Sequence, residues 1–356
     1  MKTPISPAGS RWDGQRITLA HGAGGRAMRE LVAEVIVPAF DNAWLSTLED
    51  QARLPPGSLP EGSTLAFTTD SYVVSPLVFP GGDIGTLAVC GTVNDLAVGG
   101  AHPRWLSCAL ILEEGTSIDL LRQVLASMAA KAREAKVAIV TGDTKVVQRG
   151  ACDGLFINTS GIGAIPAGRH TGPETVRSGD RLIVNGTLGD HGIAILAARN
   201  ELALEIPVLS DCGPLNELVE IMFEAAPHGG IHWLRDCTRG GLATIANEFA
   251  TEGKLNLNLF ESALPVNDAV RGACEILGLD PLYLANEGKL AAIVSAQAAG
   301  PVLAAMHAHP LGQAAAIVGE VLKPDTRNRA PVTLRSVFGG ERVVDLLHGD
   351  QLPRIC

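Results

Sequence analysis

Apolar and polar positions along the chain follow two different periods, and these alternate from one segment to the next. Short apolar runs of strand length are separated by stretches in which apolar residues recur at helical spacing. The runs typical of strands cover residues 17–20, 65–69, 106–112, 137–140, 156–165, 181–185 and 290–294. The helical stretches cover residues 27–40, 84–96, 118–135 and 189–199, with a further helix after 241. Because strands and helices are interleaved in both halves, the pattern predicts an α/β or α+β fold.

The borders of these elements divide the chain into two domains with an appendage at each end. A length of 356 residues corresponds to about two domains of ordinary size. The pattern predicts an arm over 1–16, a first domain over 17–166 and a second domain over 167–338. From Gly339 and Gly340 onward the periodicity fades, which predicts a mobile tail over 339–356 with a glycine hinge at its start and a second pivot at Gly349.

Composition changes this picture only by excluding some classes of protein. The chain has 28 basic and 38 acidic residues and a formal net charge of −10, which argues against non-specific nucleic-acid binding and against a basic membrane-surface protein. No apolar run reaches the length of about 18 residues that crosses a bilayer. The first residues also lack the apolar core of a secretory signal. We therefore expect a cytoplasmic protein.

The cysteines include one in an unusual place. The chain has 7 cysteines without a C-x-x-C pair, so neither a disulfide framework nor a structural zinc site is expected. Six lie in or beside apolar segments, as small core residues do. Cys356 is the last residue, where a buried side chain is not expected. It is either an incidental surface thiol or a sulfur that must be reached by other proteins or by an active site.

Four aspartates stand at the ends of apolar segments or beside glycines. Asp70 and Asp143 each follow an apolar strand, while Asp83 and Asp95 bracket a glycine-rich helical segment. Mg²⁺ prefers oxygen ligands and commonly bridges to phosphates, so the four together suggest a magnesium site. The alternative is that each is an ordinary capping or turn residue.

Two glycine-containing loops are candidates for anion binding. The loop 21–25, with sequence HGAGG, lies between a predicted strand and a helix, where backbone N–H groups and the helix N-terminus can face a phosphate. It matches neither the P-loop nor the dinucleotide-binding pattern, and a tight structural turn explains it equally well. The loop 238–241, with sequence TRGG, is similarly ambiguous, because Thr238 alone could cap the next helix.

Lys145 and Glu287 are the remaining candidates for chemistry. A lone lysine is usually a solvated surface charge, but Lys145 lies two residues after Asp143 and could offset phosphate charge. Glu287 lies between Asn286 and Gly288 and could act as a general base if its surroundings support that role.

Several of these segments together match a known family. They are TDSYVVSP at 69–76, GGDIG at 81–85, GTVNDLAVGGA at 91–101, TGDTKVV at 141–147, DCTRGGLA at 236–243, ANEGKL at 285–290 and PRIC at 353–356. In this combination the chain resembles the HypE family of hydrogenase maturation factors. That family belongs to an ATP-dependent superfamily that includes aminoimidazole ribonucleotide synthetase, thiamine monophosphate kinase and selenophosphate synthetase. The resemblance covers nearly the whole chain from Ile17, and its one departure is Cys237, where Pro or Ala is expected.

The resemblance implies a fold and a set of binding residues. It implies a two-domain aminoimidazole ribonucleotide synthetase-like fold, with the first domain forming a barrel-like interface in a homodimer and the second domain covering it. ATP would lie in the cleft with Mg²⁺ held by the four aspartates. The residues that it implies for binding ATP and metal are Gly24, Gly25, Asp70, Asp83, Asn94, Asp95, Asp143 and Thr144.

The resemblance also implies a reaction and partners. A carbamoyltransferase, HypF, would place a carbamoyl group on Cys356, and ATP-dependent dehydration would turn this thiocarbamate into a thiocyanate. The HypC–HypD complex would accept the cyanide for the iron of a [NiFe]-hydrogenase. Our hypothesis for the base in the dehydration is Glu287, with Lys145 as the other candidate. We also expect ATP to shift the tail between an outward and an inward state.

Two other functions stay open on the sequence. One is a synthetase or kinase of the same superfamily that acts on a free small molecule and would not need Cys356. The other is a non-enzymatic carrier that uses nucleotide binding as a switch and presents a modified cysteine.

Overall fold

The computed structural model describes residues 10–47, 51–55, 57–199, 206–227, 229–324, 331–347 and 355. These residues form two α/β domains, each built on one main sheet, as the periodicities predicted. The predicted pivot Gly349 and the terminal Cys356 lie outside the described residues. Within the described residues, no helix is both long and apolar enough to cross a membrane.

The first domain is a sheet with helices packed on one face. Its strands are β1 (Thr64–Tyr72), β2 (Val78–Phe79), β3 (Gly82–Asp83), β4 (His102–Glu113), β5 (Ala138–Val147) and β6 (Leu155–Ile165). Its helices are α1 (Arg26–Leu31), α2 (Val37–Phe40), α3 (Ile84–Val98) and α4 (Ile118–Glu134), and a π-helical segment, Val32–Ile36, joins α1 to α2. The main sheet has the order β1-β6-β4-β5, while β2 and β3 form a separate small hairpin. Only the β4–β5 pair is parallel in the main sheet.

Helix α3 is the central element of the molecule. It is apolar on every side, and of its residues only Asp95 is not buried. A helix of this kind must be covered all round, and α3 packs on α4, on the first sheet and on elements of the second domain. It begins at Asp83, whose side chain accepts a hydrogen bond from the Thr86 amide.

The second domain is a larger sheet with helices on both faces. Its strands are β7 (Arg181–Val184), β8 (Ile231–Asp236), β9 (Asn256–Phe260), β10 (Leu290–Val294), β11 (Ala316–Leu322), β12 (Val332–Arg335) and β13 (Glu341–Val343). Its helices are α5 (Asp190–Ala198), α6 (Asn216–Ala225), α7 (Gly241–Gly253), α8 (Asp268–Leu277) and α9 (Ala296–His307). The strand order is β13-β12-β9-β11-β7-β10-β8. Successive residues of β7 and β10 point into separate apolar clusters on the two faces, which explains why these strands are continuous apolar runs.

Several predicted elements are wrong in detail. Residues 17–20 do not form a strand, because Ile17 is hydrogen-bonded to a loop at Gly115 and Thr116 and a 3₁₀ helix begins at Leu19. Asp70 and Asp143 lie inside β1 and β5 and not at their ends.

The predicted hinge at Gly339 and Gly340 is also wrong. These residues form the turn between β12 and β13, in which the Ser336 amide donates to the Gly340 carbonyl and the Gly339 amide donates to the Ser336 carbonyl. Strand β13 therefore extends the second sheet beyond residue 338, where the sequence placed the start of the tail.

Candidate active site at the domain interface

Glu287 lies in the loop before β10, where the second domain meets α3. Its side chain is 3% exposed, and Oε1 has no hydrogen-bond partner. Burial, followed by the nearby charges of Asp211, Asp236 and Asp70, raises the pKa of Glu287 well above the usual carboxyl value. A carboxyl group whose pKa is raised in this way is suited to proton transfer.

The backbone around Glu287 is held by groups from both domains. The Glu287 amide donates to Asp211 Oδ1 at 3.1 Å, and the Glu287 carbonyl accepts from Asn94 Nδ2 at 3.3 Å. Asp211 in turn forms a buried ion pair with Lys289, with Oδ2 and Nζ 2.9 Å apart. Although burial acts in the opposite direction, the Lys289 charge lowers the pKa of Asp211. The loop is therefore fixed and its one free functional group is the Glu287 carboxyl.

Asn94 belongs to the contacts that hold the Glu287 backbone, and its buried side chain does not face an open binding surface. Its amide nitrogen donates to the carbonyls of Gly213 and Glu287, and its Oδ1 accepts from the Leu215 amide at 2.7 Å. Because these contacts use the donors and the acceptor of the side chain, the structure assigns Asn94 to joining the domains. The contact of Asn94 with ATP that the family resemblance implies stays a prediction.

Three aspartates form an acidic group beside Glu287. Asp95 of α3 accepts from Thr68 Oγ1 at 2.9 Å, and burial together with Asp70 raises its pKa. Burial and the charge of Asp95 raise the pKa of Asp236 to about 7, while Arg235 acts in the opposite direction. These shifts indicate a local excess of negative charge of the kind that a bound cation would relieve.

The described residues contain no group of three or more His, Cys, Asp or Glu side chains arranged to hold a metal ion. Mg²⁺ does not require one, because one or two carboxylates, water and phosphate oxygens commonly complete its ligand set. Asp70 and Asp95 therefore fit the chemistry of a magnesium ion that arrives with a nucleotide.

Asp83 has a different position from the other predicted ligands. Its Oδ1 accepts from the Thr86 amide at 2.8 Å, and its Oδ2 accepts from Ser127 Oγ at 2.5 Å. The side chain is buried, and both oxygens already stabilise the start of α3 and its contact with α4. These contacts favour the capping interpretation that the sequence left open.

Asp143 and Lys145 lie at the opposite edge of the first sheet from Asp70. Asp70 pairs with Thr159, Thr159 with Cys108, and Cys108 with Gly142. Three strand spacings separate the two edges by about 14 Å. Asp143 also belongs to the row that faces away from the helices, since neighbouring residues of a strand point to opposite faces.

Asp143 and Lys145 are exposed and form an ion pair of their own, with Nζ and Oδ2 2.9 Å apart. The hydrogen bond from Lys145 lowers the pKa of Asp143. Within one chain, the structure therefore does not bring Lys145 to Glu287, nor Asp143 to Asp70 and Asp95.

A cavity of about 710 Å³ lies between the α1–α2 segment and β5. Mostly apolar residues of the helices line one side, and the β5 residues Gly142, Asp143 and Thr144 line another. The loop with Gly24 and Gly25 is exposed immediately before α1, and Gly24 has a positive φ. The cavity has the size and lining of a small-ligand site, and Asp143 and Thr144 line it opposite the helices that follow the Gly24–Gly25 loop.

The described end of the chain lies in the same domain interface as Glu287. Ile355 is buried and belongs to an apolar cluster with Cys90, Cys212 and Ala285. Ala285 lies two residues before Glu287 in sequence, and Cys212 follows Asp211. Ile355 is joined by one peptide bond to Cys356, which itself lies outside the described residues.

Sequence reasoning did not propose Asp211, Lys289, Asp236 or His191 as site residues. Asp236 had a usable signal, because it ends an apolar strand and lies in a family segment. Asp211 had none, since its role depends on a contact between a loop and residues more than seventy positions away.

Two family models match this chain. The N-terminal domain of AIR synthase related proteins matches residues 48–165, and the C-terminal domain matches residues 177–328. A protein of Rhodobacter capsulatus called carbamoyl dehydratase HypE is 56% identical over 96% of this chain and 98% of its own length. The protein of the same name from Escherichia coli K12 is 54% identical over 96% of this chain and 99% of its own length.

Solved structures of HypE proteins are also similar to this chain. A crystal structure of HypE in complex with ATP has a TM-score of 0.89 and 49% identity, covering 95% of this chain and 99% of that one. A HypE–HypF complex has a TM-score of 0.76 and 43% identity, covering 89% of this chain and 99% of that one. A thiamine-monophosphate kinase from Stenotrophomonas maltophilia, with a TM-score of 0.60 and 19% identity over 90% of this chain and 98% of that one, shares the fold alone.

Proposed function

Because the chain belongs to the HypE family of carbamoyl dehydratases, within the AIR synthase related proteins, we propose that it dehydrates a carbamoyl group carried on Cys356. The reaction consumes ATP, yields a thiocyanate and serves hydrogenase maturation. The observation that carries the proposal is the burial of Ile355 in the interface that holds the Glu287 carboxyl. The residue next to the proposed acceptor thus lies in the same interface as a carboxyl group with an unpaired oxygen.

The chemistry balances without any further reactant. The thiocarbamate R–S–C(=O)–NH₂ and ATP give the thiocyanate R–S–C≡N, ADP and phosphate. The carbamoyl oxygen attacks the γ-phosphorus, so that an O–P bond forms and the bond to ADP breaks. The C–O bond then breaks, phosphate leaves with that oxygen, and the nitrogen gives up its protons. Transfer of the phosphoryl group turns a poor leaving group into a good one, and the protein contributes positioning and electrostatic stabilisation.

Glu287 is the base that we propose for the nitrogen protons. Its carboxyl is buried, its Oε1 is unpaired, and its backbone is held on both sides. Lys145 stays the other candidate. It is exposed at the far edge of the first sheet, so in this role it would have to come from a second copy of the chain.

For the metal we propose Mg²⁺ held by Asp70 and Asp95, the two of the four candidate aspartates that lie in the acidic group. When bound, the ion would offset the negative charge of the phosphates. Asp83 is left out of this set because both of its oxygens accept hydrogen bonds within the protein. Asp143 is left out of the same-chain set because it lies at the other edge of the sheet.

We propose that the cavity beneath α1 and α2 takes the nucleoside of ATP. Its volume of about 710 Å³ is within the range of small-molecule sites. The Gly24–Gly25 loop would place backbone N–H groups at its rim, and Thr144 would line its wall. This assignment gives Gly24, Gly25 and Thr144, which lie outside the acidic group, a place in the same nucleotide site.

The outward face of the first sheet supports the expected homodimer. Thr68 points to α3, so Phe67 points to the opposite face, where Leu65, Phe67 and Ile111 are exposed. Asp143 and Lys145 share this face. We propose that two copies pair through it, which supports the expected barrel-like interface and brings Lys145 of one copy toward the site of the other.

The remaining partners follow from the family. We propose that a HypF carbamoyltransferase loads Cys356, in keeping with the solved HypE–HypF complex, and that a HypC–HypD complex accepts the cyanide. We also propose that the protein works in the cytoplasm, where those proteins and ATP would meet it.

The proposal is tested with wild-type protein carbamoylated on Cys356 before ATP is added. Mass spectrometry of the C-terminal peptide should show loss of one water from the adduct, in step with ATP consumption. Glu287→Gln should slow this single turnover by about 100-fold or more, as expected for loss of a general base. The matched control is Glu275→Gln, which changes an exposed carboxylate on α8.

The outcomes separate the alternatives. ATP binding by the wild type without loss of water would favour the carrier, and turnover of a free small molecule by protein lacking Cys356 would favour the synthetase or kinase. Glu287→Gln with the wild-type rate would remove Glu287 from the mechanism and leave Lys145 as the base.

A further inference from the structure

His191 contacts the end of the chain through a single well-defined hydrogen bond. It lies on α5 and is fully buried, with the ring of Phe79 against it at a centroid distance of 5.5 Å. Its Nε2 lies 2.7 Å from the Ile355 carbonyl oxygen, and its Nδ1 lies 2.8 Å from Ser210 Oγ. No part of the proposed chemistry uses this histidine.

These two contacts determine where the imidazole proton lies. A carbonyl oxygen can only accept, so Nε2 carries the hydrogen and donates it to Ile355. Nδ1 is then an acceptor for the Ser210 hydroxyl, which fixes the tautomer. Burial, acting against the charge of Asp211, lowers the pKa of His191 and so favours this neutral form.

The oxygen that His191 holds belongs to the peptide bond between Ile355 and Cys356. Peptide units are planar, so a hydrogen bond to this oxygen restricts the orientation of the whole unit. The Ile355 side chain provides a second point of attachment, because it is buried in the apolar cluster that also contains Phe79, Cys90 and Cys212. A buried side chain and a bonded carbonyl together hold the chain end far more firmly than either alone.

The segments that surround Ile355 also supply the residues that hold the Glu287 backbone. Cys90 comes from α3, which also supplies Asn94 to the Glu287 carbonyl. Ser210, which fixes the His191 ring, precedes Asp211, which accepts from the Glu287 amide. Any displacement of these segments would therefore alter the position of Ile355 relative to the Glu287 carboxyl.

We propose that His191 is a positioning residue that holds the Ile355 carbonyl and thereby presents Cys356 inward, for dehydration, at the expense of its presentation outward. This inference rests on the proposed function. It predicts opposite effects on dehydration and on carbamoylation. Loss of the contact should slow dehydration, and it should make the thiol more accessible to reagents and to the carbamoyltransferase.

The first test measures exposure of the thiol without any partner or nucleotide. Iodoacetamide is added to the full-length chain, and alkylation of Cys356 is followed by mass spectrometry of the C-terminal peptide. His191→Leu, which removes the donor, should be alkylated several-fold faster than the wild type. His191→Gln, which returns an N–H donor, should restore most of the protection. His170→Leu is the matched control, because His170 is an exposed histidine paired with Glu174.

The second test measures the two enzymatic steps on the same variants. His191→Leu should slow dehydration of the carbamoylated protein by about tenfold or more, the effect expected for loss of one buried hydrogen bond. Its carbamoylation should be as fast as in the wild type or faster. Ser210→Ala, a milder change that removes the partner of Nδ1, should move both rates in the same directions and serves if His191→Leu does not fold.

Unchanged alkylation in both His191→Leu and Ser210→Ala would overturn the inference, and so would faster alkylation with an unchanged rate of dehydration. A fall in both enzymatic rates would also overturn it, because that result indicates general destabilisation. If the wild type itself forms no thiocyanate, the proposed function fails, while the alkylation experiment still tests the contact with Ile355.

Discussion

At the scale of single residues, the domain interface contains one carboxylate that is paired with a buried lysine and several carboxyl groups without such a partner among the described residues. Asp211 is paired with Lys289 and accepts from two backbone amides, of Glu287 and Gly288. Asp236 has no comparable cation, and burial and Asp95 raise its pKa to about 7. The contrast explains why Asp211 stabilises the loop as a carboxylate, whereas Asp236 keeps its proton to a higher pH than an ordinary aspartate.

The raised pKa of Asp236 predicts a dependence of stability on pH. An unfolded aspartate releases its proton near pH 3.9, whereas Asp236 keeps its proton in the folded state up to about pH 7. The folded state thus binds more protons in this range, and the free energy of unfolding falls as the pH rises from about 4 to about 7. Asp236→Asn should remove this fall, making the variant more stable than the wild type by about 1–3 kcal/mol at pH 8 and equally stable at pH 4.

Urea unfolding at several pH values, in EDTA and without nucleotide, measures this difference. Glu275→Gln on α8 is the control, because its exposed carboxylate is far from the acidic group in sequence and in the fold. Stability curves of Asp236→Asn and wild type that run parallel from pH 4 to pH 8 would contradict the prediction.

At the scale of elements, α3 is the helix that joins the two domains. It is covered by the first sheet, by α4 and by the second domain, and it supplies both Asn94 and Asp95 to the interface. Gly85 allows α3 to approach α4 closely. A Cβ at this position would lie 2.4 Å from the Val124 carbonyl oxygen and 2.8 Å from Met128 Cγ.

Gly85→Ala should therefore destabilise the protein. The nearest atom belongs to the backbone of α4, which cannot move without displacing the helix, and overpacking of this kind costs about 1–3 kcal/mol. Gly272→Ala in α8 is the opposite case, since its Cβ would meet nothing within 4 Å. It should stabilise the protein by about 0.5–1 kcal/mol through helix propensity and a less flexible unfolded chain. Denaturant midpoints of the two variants check both signs, and a Gly85→Ala midpoint at or above the wild type would refute the packing argument.

At the scale of the whole molecule, the first sheet separates the residues of the proposed site into two groups, one on each side. Asp70, Asp95 and Glu287 lie on the helix side, whereas Asp143 and Lys145 lie on the outward side together with exposed apolar residues. A single chain leaves these groups apart, and a second copy on the outward face is what would combine them.

Phe67→Asp should break the proposed dimer. Phe67 is 66% exposed on the outward face of β1, and a carboxylate there would have to lose its hydration in the interface. We expect the dimer to dissociate at least 100-fold more readily, measured by light scattering across a dilution series, with loss of dehydration although Glu287 is intact. Phe338→Asp is the matched control, because Phe338 is 95% exposed at the tip of the β12–β13 hairpin. A wild type that is monomeric at micromolar concentration would rule out the interface.

The sequence by itself determined the class of the fold and most of its elements. The two periods of apolar residues are local properties, so they located α3, α4, β6 and β10 to within a few residues. The cap of α4 is local in the same way, because the Ser117 side chain accepts from the Asp119 amide two residues further on. The family segments likewise predicted the reaction, because they are short runs that can be read one at a time.

Only the tertiary structure decided which of the candidate residues share a site. It separated Asp143 from Asp70 across the width of a sheet, occupied both oxygens of Asp83, and brought in Asp211 and His191 from loops and helices without any local pattern. It also replaced the predicted glycine hinge by a hairpin turn and placed Ile355 in the interface. The physical reason is that burial, pairing and hydrogen-bond competition depend on residues distant in sequence, and the position of such residues is set by packing of the whole chain.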